Sequence, residues 1–307
     1  MLVIVAPGQG AQTPGFLTPW LETPGLRDRL SAWSEVAGLD LIAYGTTAGA
    51  DEIRDTAVAQ PLLVAAALAS AEALLDGSPL PAAVVAGHSV GEFAAAALAG
   101  VLTAEQALGL VRERGQAMAK AAAVTETGMT AVLGGDEQEV LAALDKHGLT
   151  PANVNAAGQI VAAGTLDELA AFAEAPPARA RLRPLAVAGA FHTVHMAPAV
   201  EQLREAAAGL TPADPGPVLL SNADGAAVPR GEEFLRRLAE QVARPVRWDR
   251  CMATMAELGV TAMIELVPGG TLTGIARRAL PGVATVALKT PGDLDAARDL
   301  ISKETTA

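Results

Sequence analysis

The 307-residue sequence predicts an α/β fold in two parts: a large, mostly parallel sheet covered by helices, and a smaller unit inserted into it. Three observations lead there. Short apolar runs alternate with stretches of helical periodicity along most of the chain, the pattern of a parallel sheet buried on both faces. Between 128 and 190 the order changes to β-α-β-β-α-β, the ferredoxin-like split arrangement. Ala82–Phe93 joins an apolar strand to Gly-x-Ser-x-Gly and then to an alanine-rich helix, which gives the large part an α/β-hydrolase-like character. The domains so drawn are 1–127 with 191–307, and an inserted 128–190.

Composition narrows the function classes. Hydrophobic residues make up 51% and aromatics 3%, so the core is built from Ala, Val and Leu. A formal charge of −12 argues against nucleic-acid binding, which needs a positive footprint. Basic residues still cluster at Arg179, Arg181 and Arg183, and at Arg277-Arg278 near Lys289. They read either as a solvated face or as a docking patch for an acidic partner. The longest apolar runs, such as Phe93–Leu98 with its continuation to Leu102, fall short of a membrane span. Met1–Ala6 reads as a first buried strand and not as a signal peptide. One cysteine, Cys251, excludes an intrachain disulfide and a cysteine-based metal cluster. A soluble cytoplasmic protein is expected, without membrane or nucleic-acid partners.

In chain order, the first strand runs into Pro7-Gly8-Gln9-Gly10, a loop at a strand C-terminal end, where ligands bind in open α/β sheets. It is no phosphate loop, since no Gly-Lys-Ser/Thr follows. Gly25 to Gly38 has helical spacing, and Gln60-Pro61 opens a helix reaching Leu75, with Pro61 suited to its first turn. After the elbow, Thr103 and Gln106 form a capping-box signature for a helix carrying Arg112 and Arg114. Helix geometry alone does not choose between these two arginines. The inserted unit reads as strands at Met129–Leu133, Ala152–Asn155, Gln159–Ala163 and Arg179–Leu185, with helices at Asp136–His147 and Thr165–Glu174. Beyond it come strands at Val218–Leu220, Thr261–Leu266 and Val283–Leu288. The helices of this part are one through Leu203, then Glu232–Val242, Met252–Leu258 and Leu272–Ala279. Lys303–Ala307 reads as a disordered tail.

The chemistry centres on Ser89. Gly87 and Gly91 permit a tight turn, and the Val90 N–H is placed to meet an oxyanion at a helix N-terminus. The bland alternative is a serine capping a helix. A serine needs a base to take its proton, and there are four histidines. His88 diverges from the serine and His147 ends a helix, which leaves His192 ahead of His195, both in a loop at the domain junction. Chain order disfavours an α/β-hydrolase triad, in which the histidine comes near the C-terminus. Carboxylates between serine and histidine, such as Asp136, Asp145, Asp167 and Glu168, fall on helices of the insertion. A serine–histidine dyad is the more natural arrangement.

Six motifs occur in one order: Gly8-Gln9-Gly10, Gln60-Pro61, Gly87-His88-Ser89-Val90-Gly91-Glu92, Arg112-Glu113-Arg114-Gly115, Gly189-Ala190-Phe191-His192 and Pro245-Val246-Arg247-Trp248. In this order the chain resembles the malonyl-CoA:acyl-carrier-protein transacylases of bacterial fatty-acid synthesis, and the acyltransferase domains of polyketide synthases. The resemblance implies Ser89 as nucleophile and His192 as base, with Arg114 binding the malonyl carboxylate. It implies an oxyanion hole from the N–H groups of Gln9 and Val90, and Gln60 in the substrate pocket. A backbone carbonyl in the segment Gln241–Val246, that of Gln241, would orient the histidine, and Asn155 would contact substrate. Val90 and Phe191 match the pattern associated with malonyl over methylmalonyl selection. Thr193, where a serine is common, and Arg244 depart from the family pattern. The partners implied are malonyl-CoA and acyl carrier protein, with a monomeric enzyme and no bound cofactor or metal. A serine thioesterase or hydrolase using the same elbow is the alternative, and a silent carrier-binding scaffold is a third reading.

Overall fold

The computed structural model describes residues 1–187 and 189–306. Residue 188, within the expected insertion, and residue 307, the last of the expected tail, lie outside the described residues. The first stretch forms β1 (Leu2–Ala6), α1 (Leu26–Ala37), α2 (Leu41–Thr46), α3 (Thr56–Leu75), β2 (Val84–Gly87), α4 (Gly91–Leu98) and α5 (Ala104–Ala122). Next come β3 (Thr127–Gly134), α6 (Glu137–Lys146), β4 (Thr150–Ala156), β5 (Gln159–Thr165), α7 (Leu166–Glu174) and β6 (Ala180–Pro184). The chain then adds α8 (Ala197–Ala207), β7 (Val218–Leu219), α9 (Gly231–Glu240), β8 (Val246–Arg247) and α10 (Trp248–Glu257). It ends with β9 (Ala262–Glu265), α11 (Thr271–Ala279), β10 (Ala284–Ala287) and α12 (Leu294–Thr306).

The first sheet has the order β10-β9-β1-β2-β7, with every pairing parallel. All five residues of β1 are buried, because both faces of the sheet are covered. Leu2, Ile4 and Ala6 pack into a core shared with α3 and α5, while Val3 and Val5 face α10 and α11. The second sheet is mixed, in the order β6-β3-β5-β4-β8. Its first four strands pair antiparallel, and β8 joins β4 in parallel. Val132, Ile160 and Ala162 pack with Phe172 of α7, whereas the alternate residues Met129, Val161 and Ala163 face the large core.

Four details depart from the sequence reading. α3 begins at Thr56, capped by the Asp55 carboxylate, so Pro61 lies inside the helix and not in its first turn. α3 is also long and apolar enough to cross a bilayer by length and composition, contrary to the expectation of no such run. Its most apolar window is 78% buried within the protein, as a core helix is. Val246–Arg247, expected only to interrupt the chain, pairs with Asn153 and Val154 as β8. Lys303–Thr306, expected to be disordered, continues α12, where Glu304 pairs with the Met1 ammonium at 2.6 Å.

Candidate active site

The elbow follows from two glycines and one strained residue. A Cβ on Gly87 would collide with the Gly91 backbone, and one on Gly91 with the Ala6 carbonyl oxygen of β1. Strand and helix therefore approach more closely than any side chain allows. Between them Ser89 adopts φ +51, a left-handed conformation costly for a residue with a Cβ. The Asn222 Oδ1 atom braces the turn by accepting from the Ser89 N–H at 2.7 Å, while Asn222 Nδ2 donates to the Gly87 carbonyl at 2.8 Å.

Ser89 Oγ lies 2.8 Å from His192 Nε2. His192 also has positive φ, +64, and its N–H donates to the Val242 carbonyl at 2.9 Å. Its Nδ1 lies 2.9 Å from the Gln241 carbonyl oxygen. A carbonyl only accepts, so Nδ1 carries the hydrogen and Nε2 is left to accept from the serine hydroxyl. Burial, reinforced by the positive charge of Arg114, holds the imidazole down at about 3, opposed in part by the Gln241 hydrogen bond. The ring is neutral at physiological pH.

Arg114 is 1% exposed and wholly inside the protein. It donates to Gln60 Oε1 at 2.7 Å, to Gln241 Oε1 at 2.6 Å and to Ser89 Oγ at 3.3 Å. Its Nε has no protein acceptor among the described residues. Burial lowers it to about 9, with the Glu92 carboxylate pulling the other way, so it stays charged near neutrality. Arg112 turns outward to Glu113 and the Val36 carbonyl. Packing thus selects the arginine that helix geometry left open.

Of the remaining candidates, Gln9, Gln60 and Asn155 line one cavity of about 250 Å³ together with Ser89, Arg114 and His192, whereas Gln241 lines a neighbouring one. Among the described residues the N–H groups of Gln9 and Val90 donate to no protein acceptor. Asn155 reaches the site through His88, whose Nε2 lies 2.8 Å from Asn155 Oδ1. His195 sits in a short turn after the dyad, and His147 Nδ1 bonds the Ala143 carbonyl at 2.8 Å, remote from the serine. Asp136 and Glu168 cap helices of the second sheet. The carboxylate beside the dyad is Glu92, three residues after Ser89 in the same motif, where neither spacing nor resemblance gives it a role. Asn222 was also missed, since it follows a two-residue strand and carries no motif signal.

The acyl transferase domain family matches residues 3–292. A Mycobacterium tuberculosis protein described as malonyl CoA-acyl carrier protein transacylase is 54% identical over 297 residues, covering 96% of this chain and 98% of that protein. The crystal structure of MCAT from M. tuberculosis matches with a TM-score of 0.92 at 54% identity, covering 96% of this chain and 99% of that one. A malonyl-transacylase in complex with its type II PKS acyl-carrier protein matches at 0.90 and 30% identity, covering 97% and 99%. Likeness of this depth over the full length of both chains leaves one conclusion: the chain belongs to the acyl transferase domain family, among its malonyl CoA-acyl carrier protein transacylases.

Proposed function

We propose that the protein moves a malonyl group from malonyl-CoA to the phosphopantetheine thiol of an acyl carrier protein, through a malonyl-serine at Ser89. One observation carries the reading: a serine hydroxyl shared between a neutral imidazole and a buried guanidinium in a single cavity. His192 Nε2 takes the Ser89 proton as Oγ attacks the thioester carbonyl. The tetrahedral oxyanion is received by the N–H groups of Gln9 and Val90, donors that no protein acceptor occupies among the described residues. Collapse breaks the C–S bond, and the imidazolium returns the proton to the departing CoA thiolate. The carrier thiol then repeats the sequence in reverse, giving its proton to His192 and releasing Ser89.

Arg114 supplies selectivity, because malonyl differs from acetyl by a carboxylate that a guanidinium can pair bidentately. Its unpartnered Nε supports that role, and Gln60 holds the other side of the group. Gln241 orients His192 through its carbonyl, and Asn155, bonded to His88, completes the far wall of the cavity. These steps use no metal or bound cofactor. The named relatives support fatty-acid synthesis, and the carrier complex supports a link to polyketide carriers. We also read the fold as an α/β-hydrolase-like part, 1–127 with 191–307, carrying a ferredoxin-like insertion at 128–190. The order β6-β3-β5-β4 supports the latter. The enzyme is proposed to act as a cytoplasmic monomer, without membrane or nucleic acid, as its charge of −12 suits.

Steady-state kinetics test the cycle. Varying malonyl-CoA against carrier protein gives parallel double-reciprocal lines, and Ser89→Ala abolishes transfer. Intersecting lines contradict a covalent intermediate, and free malonate released without a thiol acceptor points to a thioesterase.

A further inference from the structure

We infer that Glu92, as the carboxylate, is a positioning residue of malonyl transfer: through the Gln241 amide it fixes the Arg114 guanidinium and the turn whose carbonyl holds His192. The inference rests on the malonyl-transfer reading and extends it to a residue that touches no reacting atom. Glu92 is 1% exposed, and both of its oxygens are taken by donors. Oε1 accepts from the Asn222 backbone N–H at 2.6 Å, and Oε2 accepts from Gln241 Nε2. The same Nε2 donates to the Ser89 carbonyl at 3.0 Å, which leaves Oε1 of Gln241 facing Arg114 at 2.6 Å.

A group at this place must accept on both sides. The backbone N–H cannot be exchanged for an acceptor, so a hydrogen on the second atom of the side chain faces Gln241. The amide must then turn over, setting Nε2 against the guanidinium and Oε1 against the Ser89 carbonyl. Both contacts become repulsive, Arg114 loses an anchor, and the turn at Gln241 is disturbed beneath His192. A neutral acid and a glutamine both fail in this way. Asn222 ties the same carboxylate to the elbow, since its Oδ1 accepts from the Ser89 N–H.

Glu92 also lines a second cavity, of about 270 Å³, that shares no lining residue with the one at Ser89. Protons therefore reach it without crossing the substrate. Burial raises the carboxyl to about 7, against the Asn222 and Gln241 hydrogen bonds and the attraction of Arg114 on α5 and Arg237 on α9. From α10 the Cys251 thiol faces it, kept neutral by burial. Around the second cavity the other charges are paired: Arg237 with Asp224, and Arg236 and Arg244 with Glu240. The carboxylate of a malonyl group would repel Glu92, and Arg114 attracts both. The contacts made directly by the carboxylate decide the sign, so activity follows the ionised form and falls as pH drops through about 7. In the free enzyme burial holds His192 down near 3 and also lowers His88, the other imidazole lining the substrate cavity, and kcat/KM reports the free enzyme, so the limb near 7 is assigned to Glu92.

The test is the second-order rate of malonyl-serine formation against pH, read by intact-protein mass spectrometry. Malonyl-pantetheine serves as substrate because it lacks the titrating phosphates of CoA. The wild-type protein shows a limb near pH 7, while Glu92→Gln is slower by about 10- to 100-fold above the limb and has lost the limb itself. A limb that persists in Glu92→Gln, or a variant rate equal to wild type, overturns the inference. Should the variant not fold, the wild-type profile decides alone, and a rate that is flat or rising as pH falls through 7 overturns it. A wild-type protein that forms no malonyl-serine sinks the malonyl-transfer reading as well, whereas an adduct formed without the limb sinks only the role of Glu92.

Discussion

Ser89 and His192 both hold left-handed backbone conformations, so local strain sits at the two residues proposed to react. The third, Arg114, sets the field in which they work. Its charge is the second cause, after burial, of the depressed His192 basicity. Removing it stabilises the imidazolium, so Arg114→Ala moves His192 upward while burial keeps it below its ordinary value. An NMR titration of the imidazole checks this, and an unmoved or lowered value contradicts it. The same variant loses malonyl transfer by about 2–5 kcal/mol of transition-state binding while keeping acetyl transfer. An unchanged malonyl preference removes Arg114 from its role. At this scale the sequence was most informative where motifs followed one another. The serine, the histidine and the buried arginine were all named, and the structure brings them within 3.3 Å of the Ser89 hydroxyl. Glu92 and Asn222 escaped because a carboxylate inside an apolar helix turn, and an asparagine beyond a short strand, have no periodicity to betray their partners.

Among the elements, the elbow depends most on sequence detail. Replacing Gly91 by alanine drives a methyl group into the β1 carbonyl and cannot be relieved by a side-chain rotation. Destabilisation of about 1–3 kcal/mol is expected, with loss of acyl-enzyme formation. A denaturant midpoint like that of wild type refutes that packing account. Thr103→Ala removes a capping box at the start of α5, the helix that carries Arg114, and should cost about 1 kcal/mol in the same measurement. Strands and helices with several periods were legible, as were the box at Thr103 and the β-α-β-β-α-β order of the elements from β3 to β6. Two features were not. β8 is two residues long, too short for any pattern, and exists because β4 offers it an edge. The end of α12 reads as polar tail, yet an ion pair to Met1 across the whole chain length ties it down.

For the molecule as a whole, the cavity forms where the two sheets meet. β8 ties the second sheet to the later part of the chain, and the His88–Asn155 contact crosses from elbow to β4. Arg181 and Arg183 on β6, with Arg179 before it and Arg277 on α11, are exposed and remain candidates for receiving an acidic carrier. Reversing their charges should slow malonyl transfer to carrier protein while leaving acylation by malonyl-CoA unchanged. Equal rates for variant and wild type dismiss the patch. The central claim, a malonyl group passing through Ser89, is tested most directly by intact mass spectrometry of the protein after malonyl-CoA, and again after carrier protein is added. The account predicts one malonyl group on Ser89 that then moves to the carrier thiol. No adduct, an adduct that survives in Ser89→Ala, or one that the carrier does not take up would contradict it.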